Sequence, residues 1–182
     1  MKSIKLLALL FISTLVFTGC SDDETPEQVN ENEVITTMTI TLTATGQTDV
    51  VLRTQDLDGD GPNAPVLTVS GPLAANTVYN GSIVLLNETE SPAENVTEEI
   101  EEEDEEHQFF FVSTGANATF AYTDTDENNN PVGLSFSLTT ADASTGSLTF
   151  TLKHEPKKPN NGTVADAGGS TDIETTFNVT IQ

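Results

Sequence analysis

Residues Thr37 to Thr45, TMTITLTAT, alternate without a break. Met38, Ile40, Leu42 and Ala44 share one side and the threonines share the other. A period of two is that of a strand with one face on a core and one in water. Threonine suits the wet face. The same beat returns in ATFAYT (Ala118, Phe120, Tyr122), VGLSFSLT (Val132, Leu134, Phe136, Leu138), SLTFTLKH (Leu148, Phe150, Leu152) and IETTFNVTI (Phe177, Val179, Ile181). DVVLRT, APVLTVS and TVYNGSIVLLN read as three further strands. QFFFVS is continuously apolar, the pattern of a strand covered on both faces, and is predicted to be central in its sheet.

Glycine, proline, asparagine and aspartate punctuate these runs in DGDGPN, SGPLAAN, DENNNP and ASTG. About nine strands with polar turns and almost no helix predict an all-β fold. The expected architecture is an antiparallel β-sandwich, immunoglobulin-like or related; an eight- to ten-stranded barrel is the alternative. One segment breaks the beat. SPAENVTEEIEEEDEEHQ offers Ser91 as a cap, Pro92 at the first helical position and Glu94 to close the capping box. Ala93, Val96 and Ile100 then fall on one face, predicting a short acidic helix over about 92–104, across one end of the sandwich. Its acidic C-terminus opposes the helix dipole, so the last turn should fray or hold a cation.

The N-terminus follows another pattern. Lys2 and Lys5 precede an apolar run of twelve, Leu6 to Phe17. A helix crossing a bilayer needs about 20 residues, so this run reads as the core of a signal peptide. Phe17 to Cys20, FTGC, places small residues before the single cysteine of the chain, the pattern of a bacterial lipobox with Phe17 where Leu is commoner. The division is therefore 1–19 as lipoprotein signal peptide, 20–33 as lipidated Cys20 with a flexible acidic tether, and 34–182 as one β-sandwich domain. Palmitate-type acylation of Cys20 would anchor the chain to a bilayer at about 0.8 kcal/mol per buried CH₂. A lone cysteine also excludes an internal disulfide.

Charge narrows the function classes. Removing residues 1–19 takes Lys2 and Lys5 with it. Arg53, Lys153, Lys157 and Lys158 then face 29 acidic residues, a formal charge near −25. Nucleic-acid binding is excluded, because phosphate neutralisation needs clustered Lys and Arg. Attraction for cations is favoured.

Three clusters are candidates for holding one. In DLDGDG, Asp56, Asp58, Asp60 and Gly61 match the first half of a calcium loop, but Leu67 stands at the twelfth position where such a loop places Glu. The competing reading is a hairpin turn in which aspartates serve as local turn formers. Asp124, Asp126, Asn128 and Asn130 repeat that question more weakly. The third cluster is the two histidines. His154 is in phase with Leu148, Phe150 and Leu152, and His107 with Phe109 and Phe111. If their strands are antiparallel neighbours, both imidazoles reach the same end of the sandwich. Glu103 lies four residues before His107 and Glu155 follows His154, a donor set suited to zinc or copper(II). Two unrelated histidines capping strand ends is the plainer alternative. The long irregular stretch Lys153 to Asp172 carries three of the four mature basic residues and is expected to hold an anion or dock an acidic partner. No catalytic set is present in the sequence, and the chain is read as a non-enzyme.

CSDDE, DLDGDGPNAP, LNETESPAENVTEEIEEEDEEHQFFF and DAGGSTDIETTFNVTIQ together resemble small Bacteroidota lipoproteins of the outer membrane. Some of these are called type 1 periplasmic binding fold proteins. That fold needs two α/β lobes, whereas this chain has strands without interleaved helices. The resemblance implies an outer-membrane lipoprotein facing the cell surface or the periplasm, beside an uptake transporter. The expected function is a binding module that captures a metal ion or small ligand for that transporter. The alternative is a structural or adhesive domain with calcium-stiffened loops.

Overall fold

The structure, a computed structural model, describes residues 33–59 and 61–182; Cys20, the segments before residue 33, and Asp60 lie outside the described residues. Nine strands follow in order: β1 (Thr37–Thr43), β2 (Val50–Gln55), β3 (Val66–Val69), β4 (Val78–Leu86), β5 (His107–Thr114), β6 (Ala118–Tyr122), β7 (Ser135–Thr140), β8 (Ser144–His154) and β9 (Ser170–Ile181). Two short helices interrupt them, α1 (Val96–Glu102) and α2 (Val164–Ala167). One sheet has the order β3-β2-β1-β4-β7-β6 and the other β5-β8-β9. Each named strand pair is antiparallel. The fold is an all-β sandwich.

Alternation is what the two layers are made of. Met38, Ile40 and Leu42 of β1 are fully buried, while threonines fill the gaps. Rings from both sheets meet in the middle: Phe111 lies 4.8 Å from Phe136, and Phe150 lies 5.7 Å from Phe120. Such pairs contribute about 0.5–1.5 kcal/mol beyond their buried area. Gly133, at φ 94, lets the chain pass against this cluster; a Cβ there would sit 2.8 Å from that of Phe109. Among the described residues, no helix is long and apolar enough to cross a membrane.

Three expectations are corrected. QFFFVS is not central: β5 is an edge strand of the smaller sheet. Its second face is nonetheless covered, since Gln108, Phe110 and their β8 partners Lys153 and Thr151 are all buried. Asn160 Nδ2, from the excursion between β8 and β9, donates to Gln108 Oε1 over that face. Burial by a loop and burial by a neighbouring strand leave the same apolar run in a sequence. The acidic helix starts later than expected, because Asn87 and Glu94 exchange backbone hydrogen bonds and hold the chain between them as a turn. Asn95 is the N-cap without a side-chain cap bond, and Ala93 is exposed. The third concerns Lys153 to Asp172. It contains the last turn of β8, helix α2 and the start of β9, with Thr163 Oγ1 capping α2 by accepting from Asp166 N.

Candidate metal centre

His107 opens β5 and His154 closes β8, and the ladder pairs them directly. Their rings stack with centroids 4.7 Å apart and planes 23° apart. His107 is fully buried and His154 is 7% exposed. The His107 ring has one nitrogen engaged in a hydrogen bond; the His154 ring has one within ion-pair distance of a carboxylate. Glu103 ends α1 as its C-cap, and the tight turn that follows brings its carbonyl oxygen to 3.1 Å from His107 Nδ1. His154 Nε2 faces the Glu106 carboxylate at 3.8 Å. For His107, a proton held on Nδ1 by the Glu103 carbonyl leaves the lone pair on Nε2, the usual arrangement of a metal-ligating histidine. The remaining atoms, His107 Nε2 and His154 Nδ1, are buried and have no hydrogen-bond partner among the described residues.

Asp172 completes the group through an irregularity. Leu152 pairs with Ile173, but Lys153 pairs with Thr171, so Asp172 is an extra residue in β9 with no partner across the ladder. A bulge of this kind re-aims a side chain. Strict alternation from Phe177, Val179 and Ile181 would put Asp172 on the outer face; the bulge turns it to the histidines. Gly169, at φ 65, makes the return possible, because any Cβ there would collide with the His154 carbonyl. Both Asp172 carboxylate oxygens are buried without a hydrogen-bond partner among the described residues. One donor atom from each of His107, His154 and Asp172 lies within 4.8 Å of the other two.

Four unpartnered polar atoms in one buried place demand an explanation. Each unsatisfied group costs about 1–3 kcal/mol, more when charged, and buried charges are ordinarily paired or bound to metal. The electrostatics carry the same strain. Burial, the largest cause, holds the His107 imidazole below its ordinary value, and the neighbouring His154 adds to this. Burial pushes the Asp172 carboxyl up to about 6, against the pull of His154 and Lys153. Two neutral imidazoles and one carboxylate form three of the four ligands of a tetrahedral zinc site, and imidazole also suits copper.

Acidic groups surround the three. Glu33, Glu103 and His107 form a second set of donors mutually within 4.8 Å, and Glu106, His154 and Glu155 a third. Burial first, then Glu99, Glu103 and Asp172, raise the Glu33 carboxyl to about 7. Beside them, residues 101–106 and Glu127 line an open depression of about 420 Å³. A concavity with acidic walls concentrates cations at its floor.

The other candidates are arranged differently. Asp58 accepts from Asn63 Nδ2 at 2.6 Å and from Asn63 N at 3.3 Å, and Asp56 Oδ1 accepts from Asp58 N. These carboxylates act as turn formers, and neither belongs to a group of three possible metal donors among the described residues. Asp60 lies outside those residues. Asp124 accepts from Gly133 N and Ser135 N, each at 2.8 Å. Asp126 is buried, accepts from Asn128 N and Asn130 N, and pairs with Lys158 Nζ at 3.3 Å. The cation at this turn is the protein's own ammonium. Lys157 pairs with Asp166, and Lys153 donates to Thr171 Oγ1. The lysines expected to attract an anion thus have partners inside the fold.

Of the sequence candidates, the structure brings His107, His154 and Glu103 to one end of the sandwich, and leaves Asp56 and Asp58 in the β2–β3 turn. Asp172 and Glu33 are the possible donors beside the histidines that the sequence did not reveal. Comparison with protein-family models, with curated proteins and with solved structures finds no match to this chain. The functional reading therefore stands on its own side chains.

Proposed function

We propose that this chain is a lipid-anchored protein of the bacterial cell envelope whose sandwich binds one transition-metal ion through His107, His154 and Asp172. The observation that carries this reading is that His107, His154 and Asp172 each bring a donor atom within 4.8 Å of the other two, while His107 Nε2, His154 Nδ1 and both Asp172 oxygens are buried without partners among the described residues. Zinc and copper(II) fit two imidazoles and a carboxylate. Calcium, which takes six to eight oxygens, does not. In the same reading, acylated Cys20 holds the domain at the outer membrane. The acidic depression gathers the ion, and an uptake transporter receives it.

Two measurements test this. Native mass spectrometry of the metal-stripped full chain in detergent, titrated separately with zinc, copper(II) and calcium, should show one saturable zinc. That zinc should vanish in His154→Ala and persist in Asp58→Asn. Smooth, unsaturable adducts of zinc and copper alike would sink the metal reading. For the anchor, labelled palmitate should enter the wild-type chain in bacteria and not Cys20→Ser; equal labelling would remove the lipoprotein assignment.

A further inference from the structure

Two sets of donors at the histidine end share His154. We infer that Glu106, Glu155 and His154 form an outer station for the ion, and that His154 passes the ion from there to the buried centre. The inference rests on the metal reading above and adds the route by which that centre fills and empties.

The route is continuous through shared residues. Glu106 lines the acidic depression. It also belongs, with His154 and Glu155, to a set of donors mutually within 4.8 Å, and His154 belongs with His107 and Asp172 to the buried set. Exposure falls along the same line. Glu106 and Glu155 are exposed, His154 is 7% exposed and His107 is fully buried. The backbone holds the two glutamates at one corner, since Glu155 N donates to Glu106 O at 2.6 Å. Glu155 makes this corner at φ 49, a left-handed conformation uncommon outside glycine.

The His154 ring is suited to carry an ion across. Nε2 faces Glu106 Oε2 at 3.8 Å, beyond hydrogen-bond distance, and Nδ1 is buried without a partner among the described residues. No hydrogen bond therefore fixes which nitrogen holds the proton. A neutral imidazole has one proton and one lone pair. An ion on Nε2 excludes one on Nδ1, so the two stations are filled in turn. In the transfer the Nδ1 proton leaves for water as the ion arrives there. The vacated Nε2 takes a proton from water beside Glu106, and no net proton is gained. His107, which shares a donor set with Glu33 and Glu103, cannot relay in this way. Its Nδ1 is held by the Glu103 carbonyl at 3.1 Å, which fixes the lone pair on Nε2.

The test follows zinc on the full chain in detergent. Competition with a chromophoric chelator reads equilibrium affinity, stopped-flow mixing reads uptake, and excess chelator reads release. Glu155→Gln removes an exposed donor and leaves the backbone bond to Glu106 in place. It should slow uptake and release alike by about tenfold, the low end of what a charged approach contributes to association rates, with affinity unchanged. The slowing should persist at high salt, where a long-range field is screened. Glu101→Gln and Glu127→Gln remove the same charge from the depression but belong to none of the donor sets among the described residues. They should slow uptake only slightly, and not at high salt. Rates in Glu155→Gln that match those of Glu101→Gln at high salt, with His154→Ala still abolishing binding, would overturn the outer station and leave the buried centre standing. Faster release with weaker affinity would overturn it too, because Glu155 would then be a ligand of the resting ion. Failure of wild type to bind zinc would overturn both readings. Unchanged affinity in Glu155→Gln itself shows that the centre has folded.

Discussion

Two acidic regions of this molecule have similar composition and opposite chemistry. At the β6–β7 turn, Asp124 and Asp126 accept backbone N–H groups from Asn128, Asn130, Gly133 and Ser135, and Lys158 supplies a charge. At the histidine end, Asp172 is half-buried with both carboxylate oxygens buried and neither partnered among the described residues, and the charged groups acting on Glu33 are more carboxyls. The first region is complete as folded. The second leaves buried acceptor atoms without partners among the described residues. Density of charge does not distinguish them; the accounting of hydrogen bonds does.

The largest test of that comparison is to remove a donor from the incomplete region. Asp172→Asn should weaken zinc binding by more than about a hundredfold, reading each lost strong contact as several kcal/mol. It should also raise the melting temperature of the metal-free chain at pH 7.5, because it removes a carboxylate buried without a partner. A metal-free Asp172→Asn that melts lower than wild type would contradict the idea that this carboxylate awaits a cation.

Lys158→Met probes the complete region. It leaves Asp126 buried without its counter-charge and frees the Asp104 carbonyl that Lys158 also caps. Unfolding should become easier by about 3 kcal/mol, the low end for breaking a buried pair, because Asp126 keeps its N–H donors. Zinc stoichiometry should stay at one. Denaturant melts and native mass spectra read the two effects separately.

pH gives a smaller, signed test. Glu33 is raised from 4.5 to about 7 and Asp172 from 3.8 to about 6, so between these values the folded chain holds protons that the unfolded chain has released. Their stabilising contribution is complete below the ordinary carboxylate range and is lost as pH rises through about 6 and then about 7. His107 has the opposite sign. Its value in the folded chain is lowered, so stability is lost as pH falls below the ordinary 6.5. Through these two carboxyls, metal-free protein should therefore lose stability as pH rises from the ordinary carboxylate range to about 7, while the stabilisation given by zinc grows from pH 5 to pH 8. A zinc effect independent of pH would mean that His107 and Asp172 are not its ligands. Smallest of all is Asp58→Asn, which should leave both zinc binding and melting temperature nearly as they were.

Much of the fold was legible because alternation is a local property. Every run with a strict beat became a strand or, for Val132 and Leu134, a buried approach to one. Strand β3, one of the three runs without a strict beat, is exposed along its whole length at a sheet edge. The histidine pair was half legible: phase placed each ring at a strand end on the core side, but only the ladder shows that β5 and β8 are neighbours. The aspartates of DLDGDG drew attention by their spacing, and a turn uses the same residues as a cation loop.

By itself, then, the sequence determined the class of fold, the acidic character and the strand end at which each imidazole sits, since each follows from the order of residues along a strand. Only the tertiary structure decided the centre. Asp172 reaches it because one extra residue in β9 reverses the face that alternation assigns. Glu33 comes within 4.8 Å of a His107 nitrogen because pairing of β1 with β4 carries the chain start toward α1. Lys158 turns away from any anion because it lies beside Asp126. These contacts join residues far apart in the chain, and no local pattern encodes a distance that only folding closes.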